Sequence, residues 1–115
     1  MTLADVNSDN KLDIITASAA SGGGNLLLND GTGKFLAATT LPAGVYTSAV
    51  AALDLNGDGK IDLAFTNGSD ATSVSNHVSV LLGNGAGQLT PQGGLATRRG
   101  GGASSVTTGD LNGDG

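Results

Sequence analysis

Ten aspartates and no glutamate occur in 115 residues, and eight of the ten fall into three short stretches of one pattern. Asp54-Leu-Asn-Gly-Asp-Gly-Lys-Ile-Asp62 is the cleanest copy. Asp5-Val-Asn-Ser-Asp-Asn-Lys-Leu-Asp13 is a second, and Asp110-Leu-Asn-Gly-Asp-Gly115 is the first six residues of a third. Asp or Asn at positions 1, 3 and 5, a sharp-turning residue at 6 and Asp at 9 make an oxygen cage for a hard cation. Calcium takes about six to eight oxygens, mostly from carboxylates and carbonyls. Each complete stretch carries three carboxylates and one lysine, so one divalent ion would neutralise it.

The charge follows from these stretches. The formal net charge of −5 is concentrated in the acidic loops, and two bound calcium ions would bring it to −1. Without a basic patch to displace phosphate counterions, nucleic-acid binding is not expected. No apolar run reaches the length of a membrane span. The chain has no cysteine and therefore no disulfide framework. Met1-Thr-Leu-Ala leads straight into the first acidic loop, so no secretory leader is visible. Low-affinity calcium loops suit the millimolar calcium outside cells, and the expectation is an extracellular or cell-surface protein.

The elements that must position these loops repeat with them. Asp5 to Asp54 is 49 residues and Asp54 to Asp110 is 56. A second element keeps phase: Leu26-Leu-Leu-Asn-Asp-Gly-Thr-Gly-Lys-Phe35 matches Val80-Leu-Leu-Gly-Asn-Gly-Ala-Gly-Gln-Leu89 at an offset of 54. Ser48-Ala-Val50 matches Ser104-Ser-Val106 at 56. Twenty glycines and only three aromatics, Phe35, Tyr46 and Phe65, predict short strands, tight turns and a thin core. One unit reads as strands at 47–53, 61–66, 77–82 and 88–92. The counterparts in the first unit are 12–17, 25–28 and 34–39. No window sustains a helical period.

A four-stranded unit repeating near fifty residues fits a β-propeller blade. The stretch Ser48-Ala-Val-Ala-Ala-Leu-Asp-Leu-Asn-Gly-Asp-Gly-Lys-Ile-Asp-Leu-Ala-Phe65, followed by Val80-Leu-Leu-Gly-Asn-Gly-Ala-Gly87, resembles the FG-GAP/VCBS repeat of integrin α-subunit propellers and bacterial extracellular propellers. The resemblance covers essentially the whole chain. It implies an all-β fold of about two four-stranded antiparallel blades with calcium loops, as a segment or subunit of a larger propeller or repeat assembly. Residues 1–53 are then a first repeat, with a truncated inner strand at its start and the inner strand of the next repeat at its end. Residues 54–109 are a second repeat with the inner strand of a third, and 110–115 a truncated third loop.

Carried onto this sequence, the resemblance implies calcium ligands at Asp54, Asn56, Asp58, Asp62 and the Lys60 carbonyl. The first loop would use Asp5, Asn7, Asp9, Asp13 and the Lys11 carbonyl. It departs from the pattern at Ser8 and Asn10, where glycine is usual, so weaker affinity is expected there. The third keeps Asp110, Asn112 and Asp114 but lacks its last positions. An EF-hand is excluded, since position 12 of each complete loop is Thr16 or Phe65 and not glutamate.

No nucleophile–base–acid set can be assembled, and a non-enzymatic protein is expected. His77 reads as a surface residue, Tyr46 as packing, Asn67-Gly-Ser69 as a loop that matches a glycosylation sequon, and Arg98-Arg99 as solvated. Two functional classes remain: a calcium-dependent adhesion or recognition module, with carbohydrate or protein as ligand, and a structural unit that self-assembles without a small ligand. An accessory propeller of a secreted enzyme is a weaker third. Expected partners are further copies of the chain or the remainder of a longer propeller.

Overall fold

A computed structural model describes residues 1–20, 22–68, 77–96, 103–109 and 111. It contains strands β1 (Thr2–Ala4), β2 (Asp13–Ser18), β3 (Gly23–Leu27), β4 (Thr39–Leu41), β5 (Thr47–Leu53), β6 (Asp62–Asn67), β7 (His77–Gly83) and β8 (Leu89–Ala96). They form two antiparallel sheets, β1-β2-β3-β4 and β5-β6-β7-β8, each in sequence order. No helix occurs among the described residues. Two such meanders are compatible with two propeller blades.

The repeat holds at the level of register. Ala4 pairs with Asp13 as Leu53 pairs with Asp62, and Ile14 pairs with Leu27 as Leu63 pairs with Leu81. The outer strand slips by one residue at the same place in both sheets. In the second sheet the slip lies between Val80 and Leu81, opposite Pro91 to Gly93. In the first, Phe35 bridges Asn29, but Thr39 pairs with Leu26 one residue out of phase. Where the strand at 34–39 was expected, the first sheet has an isolated bridge at Phe35 and β4 at Thr39–Leu41, while β8 carries the same slip and stays continuous. Extra residues of this kind bend and twist a strand, and they are common at sheet edges.

The sheets stack face to face around one cluster: Ala4, Val6, Ile15, Leu26, Leu41 and Ala43 from the first, Val50, Leu63, Phe65 and Leu81 from the second. Phe65 is the only buried aromatic, and glycine makes room for it. A Cβ on Gly24 would lie 2.6 Å from the Phe65 ring and 2.8 Å from the Thr16 carbonyl oxygen. Polar clasps reinforce the joint. Buried Thr47 donates to the carbonyls of Ser18 and Gly23 and accepts from the Ser18 N–H at 2.9 Å. Buried Asn67 donates to the Ala43 carbonyl at 2.6 Å and accepts from the Ser79 hydroxyl at 2.8 Å. Its amide is thus engaged inside the protein and not displayed as a glycosylation acceptor.

Residues 103–109 do not form the inner strand expected there. β1 and β5 pair only with the strand that follows their own acidic loop. The segment instead runs beside β5, where the Ser48 hydroxyl donates to the Ala103 carbonyl at 2.6 Å.

Gly24→Ala is expected to destabilise the protein by about 1–3 kcal/mol, as overpacking of a tight joint does. Chemical denaturation measures it. An unchanged midpoint would mean that the sheets do not pack through Phe65.

Candidate metal centre

The two complete acidic loops share their main bonds and differ at position 3, where Asn56 Oδ1 accepts from the Asp58 N–H at 3.0 Å while the Asn7 amide donates to Asp9 at 3.1 Å. The Asp at position 1 folds back on the loop. Asp5 accepts from the N–H of Asp9 (3.0 Å) and Asn10 (2.7 Å), and Asp54 from the N–H of Asp58 (3.2 Å) and Gly59 (2.7 Å). The Asp at position 5 accepts from the N–H two residues on, at 3.0 Å in both loops. The backbone is left-handed at positions 4 and 6: Ser8 has φ 59° and Asn10 63°, against 75° at Gly57 and 79° at Gly59. The first loop therefore closes despite its missing glycines, at a conformational cost that glycine avoids.

Position 9 is buried, and its carboxylate works in a second direction. Asp13 accepts from Val6 N–H at 3.0 Å and Asn29 N–H at 2.9 Å. Asp62 accepts from Leu55 N–H at 2.9 Å and Gly83 N–H at 2.8 Å. Each carboxylate ties its own loop to the end of the third strand, and both are fully buried. An ionised carboxylate has about four acceptor directions, so two remain on each. The turn after the third strand repeats as well. Asp30 N–H donates to the Lys34 carbonyl and Asn84 N–H to the Gln88 carbonyl, at 3.0 and 3.1 Å.

Charge balance within the loops comes from lysine. Lys11 Nζ lies 3.4 Å from Asp9 and Lys60 Nζ 3.2 Å from Asp58. These pairs are partly exposed and contribute little stability. Asp54 is held below its ordinary carboxyl range first by the Gly59 N–H, with desolvation opposing and the Gly57 and Asp58 N–H groups adding. For Asp9, desolvation raises the value, but the Asn7 amide and the Lys11 N–H and ammonium outweigh it and lower the value.

Among the described residues, no three His, Cys, Asp or Glu side chains converge closely enough to hold a metal. The carboxylates face backbone N–H groups and lysine instead. One atom departs from this self-satisfaction. Asn7 Oδ1, at position 3 of the first loop, is buried with no hydrogen-bond partner. An acceptor oxygen buried without a donor is unusual and calls for an explanation such as an ion. As a carbonyl oxygen beside Asp5 and Asp9 it is the kind of ligand a hard cation takes, whereas in the second loop Asn56 Oδ1 accepts from the Asp58 N–H at 3.0 Å. Asp110, Asn112 and Asp114 lie outside the described residues, as do Arg98 and Arg99.

Comparison with known families decides the kinship. The FG-GAP-like repeat pattern matches residues 5–65, from the first acidic loop to Phe65. The chain belongs to the FG-GAP-like repeat family. No curated protein and no solved structure matches it. Within this FG-GAP-like chain, the sequence reading missed Thr47 and Asn67. Their only signal was a polar residue at each end of an apolar strand, which is common at surface positions too. It also missed the strain at Tyr46, whose φ of 53° is unusual for a bulky side chain. His77 opens β7, and a Cβ on Gly94 would lie 2.7 Å from its ring.

Ser8→Gly is expected to raise stability by up to about 1 kcal/mol, the left-handed penalty less the added freedom of the unfolded chain. Thermal melting without metal reads it, and a lower melting point would contradict the backbone assignment. A carboxyl with a lowered folded value contributes stability above its ordinary value of 3.8, and that contribution is lost as pH falls through the lower folded value. Asp54→Asn should therefore show a shallower loss of stability below pH 3.8 than the parent in calcium-free urea titrations. Parallel slopes would rule out Asp54 as a contributor.

Proposed function

We propose that this chain is a non-catalytic, calcium-binding FG-GAP repeat module of the extracellular space, serving adhesion or recognition. Asp5, Asn7, Asp9, Asp13 and the Lys11 carbonyl would hold one ion. Asp54, Asn56, Asp58, Asp62 and the Lys60 carbonyl would hold another. Calcium supplies electrostatic cross-linking of the loop when bound. The chain's residues supply the rest: position 1 curls the loop, positions 4 and 6 let it turn, and position 9 fastens it to the sheet. The observation that carries this reading is the orphaned Asn7 Oδ1, inside a loop whose position-1 and position-5 aspartates accept the same backbone N–H groups as those of the second loop.

In this reading, Asp9 and Asp58, now paired with Lys11 and Lys60, would hold the ion instead. The lysines then keep the occupied loop near neutrality. The scarcity of aromatics favours recognition through a broad polar surface over a stacking pocket for sugars. A self-assembling unit is the second reading, and the exposure of apolar residues such as Leu55 and Leu95 favours it.

An ion that binds only the folded state stabilises it by mass action, by about 2 kcal/mol per site at a few tens of Kd. For a domain of this size, two sites amount to a melting shift of roughly 15–20 °C. Calorimetric melting in excess chelator against millimolar calcium measures the shift, and titration calorimetry counts the sites. Asp58→Ala should remove one site and leave the other. Identical melts with no calcium heat would contradict the reading.

A further inference from the structure

Asparagine followed by glycine carries a reaction of its own. The glycine nitrogen attacks the side-chain carbonyl of the preceding residue, because no Cβ obstructs the approach. The sequence has four such pairs, and Asn56-Gly57, Asn67-Gly68 and Asn84-Gly85 fall among the described residues. The fold treats these differently. Asn67 is fully buried; its amide nitrogen donates to the Ala43 carbonyl at 2.6 Å and its Oδ1 accepts from Ser79 at 2.8 Å. The Gly68 N–H donates to the Tyr46 carbonyl at 3.0 Å. Both reacting groups are thus held apart. Asn84 is exposed, but its Oδ1 accepts from the N–H groups of Ala86 and Gln88, and its Nδ2 donates to Gln88 Oε1 at 2.8 Å. Its turn is also pinned against the first sheet. Gly87 N–H donates to the Val6 carbonyl at 3.1 Å, and a Cβ on Gly85 would lie 3.3 Å from Lys60 and 3.4 Å from the Ser8 hydroxyl.

The pair in the second acidic loop has neither restraint. Asn56 and Gly57 are exposed, and a Cβ on Gly57 would meet nothing within 4 Å. Two bonds of the loop serve the reaction. The Gly57 N–H donates to Asp54 Oδ1 at 2.8 Å, so an acceptor already stands at the proton that the attacking nitrogen must lose. Asn56 Oδ1 accepts from the Asp58 N–H at 3.0 Å, and that donor meets the negative charge which the oxygen gains when its carbon is attacked. The first loop lacks these features. Asn7 precedes Ser8, whose Cβ stands in the way, and Asn7 Oδ1 faces no donor.

We propose that Asn56-Gly57 is a site of spontaneous succinimide formation and deamidation in the folded chain. The Gly57 nitrogen bonds to Asn56 Cγ and passes its proton to Asp54. The tetrahedral centre then breaks its bond to Nδ2, which takes that proton and leaves as ammonia. Water opens the resulting five-membered imide. Cleavage of the bond between Cγ and the Gly57 nitrogen leaves aspartate at position 56. Cleavage at the main-chain carbonyl leaves isoaspartate, with the chain running on through the side-chain carboxyl carbon. Either product adds a carboxylate and takes the formal net charge from −5 to −6. Isoaspartate also lengthens the backbone by one methylene just before Gly57, whose left-handed φ of 75° shapes the turn. The alternation of inward-facing oxygens is thereby lost in the second loop and kept in the first. On the calcium reading above, an ion held by Asp54 and Asn56 occupies both the proton acceptor and the amide oxygen, so a filled loop resists the reaction.

Peptide mapping by mass spectrometry, with isoaspartate-specific methylation, tests this on the full chain aged in calcium-free, mildly alkaline buffer. Asn56 should convert first. Asn84 should lag about tenfold, since its side chain has two further hydrogen bonds to open. Asn67 should lag about a hundredfold, since its buried amide and the Gly68 N–H must both be released. In urea the three pairs should converge on one rate, no faster than that of Asn56 in the folded chain. Conversion of Asn84 or Asn67 ahead of Asn56, or an Asn56 that reacts faster unfolded than folded, would overturn the proposal. Asn56→Gln should keep the circular dichroism spectrum and lose the main acidic product, because its longer side chain must close a six-membered ring. The same product from that variant would place the reaction elsewhere. Millimolar calcium should slow Asn56 about tenfold or more, by holding the closed loop. An equal rate in protein shown by native mass spectrometry to carry two ions would overturn the protection. Selective conversion of Asn56 in protein that binds no calcium would refute the metal reading and leave the modification site standing.

Discussion

Two buried carboxylates govern this architecture. Asp13 and Asp62 each take one backbone N–H from the start of their own loop and one from the end of the third strand. Desolvating a carboxylate costs several kcal/mol unless its oxygens are bonded, and unpaired buried N–H groups carry their own penalty. Each aspartate settles both at once, and it does so where two connections of one sheet meet. The loop and the strand end are therefore placed together. The curl of the position-1 aspartate, the left-handed turns and the docking of the next sheet's turn all assume that placement.

Around these anchors the protein uses small residues. Phe65 is the single large ring inside, and it packs against a glycine of the neighbouring sheet. Thr47 and Asn67 supply at the sheet junction the specificity that a larger apolar core would otherwise provide. Close approach of backbones explains why glycine recurs at the joints as well as in turns. A Cβ on Gly83 would fall 2.0 Å from the Ile61 carbonyl oxygen, and one on Gly44 2.5 Å from the Asn67 amide nitrogen. These positions permit stacking of thin sheets at the expense of backbone entropy.

Much of the fold was legible in the sequence because the chain repeats. The offset of the Leu26 and Val80 segments located β3 and β7, and the acidic loops marked the bends before β2 and β6. β5 was read to the residue, since Ala and Val dominate it between a turn and a loop. The outer strand of the first sheet was misplaced towards its start, because the apolar Phe35-Leu-Ala-Ala38 reads as strand while only Phe35 pairs before Thr39. The liganding pattern was visible as residue types. The second use of position 9, as a backbone clamp, was not, since its partners Asn29 and Gly83 lie 16 and 21 residues away. Asn67 was read as a loop residue because the sequon pattern describes neighbours in sequence and not the Ala43 carbonyl across the joint.

Membership in the FG-GAP-like repeat family and the doubled loop give the chain a consistent physical description. Stacked thin sheets are pinned at one rim by acidic loops, and each loop is fastened from below by its ninth residue. Amide hydrogen exchange of Val6, Asn29, Leu55 and Gly83 tests this most directly. The account predicts that these four exchange as slowly as the amides of the central strands β6 and β7, opening only when a whole sheet does. Exchange of the four as fast as that of the exposed loop residues Asn56 and Gly57 would contradict it.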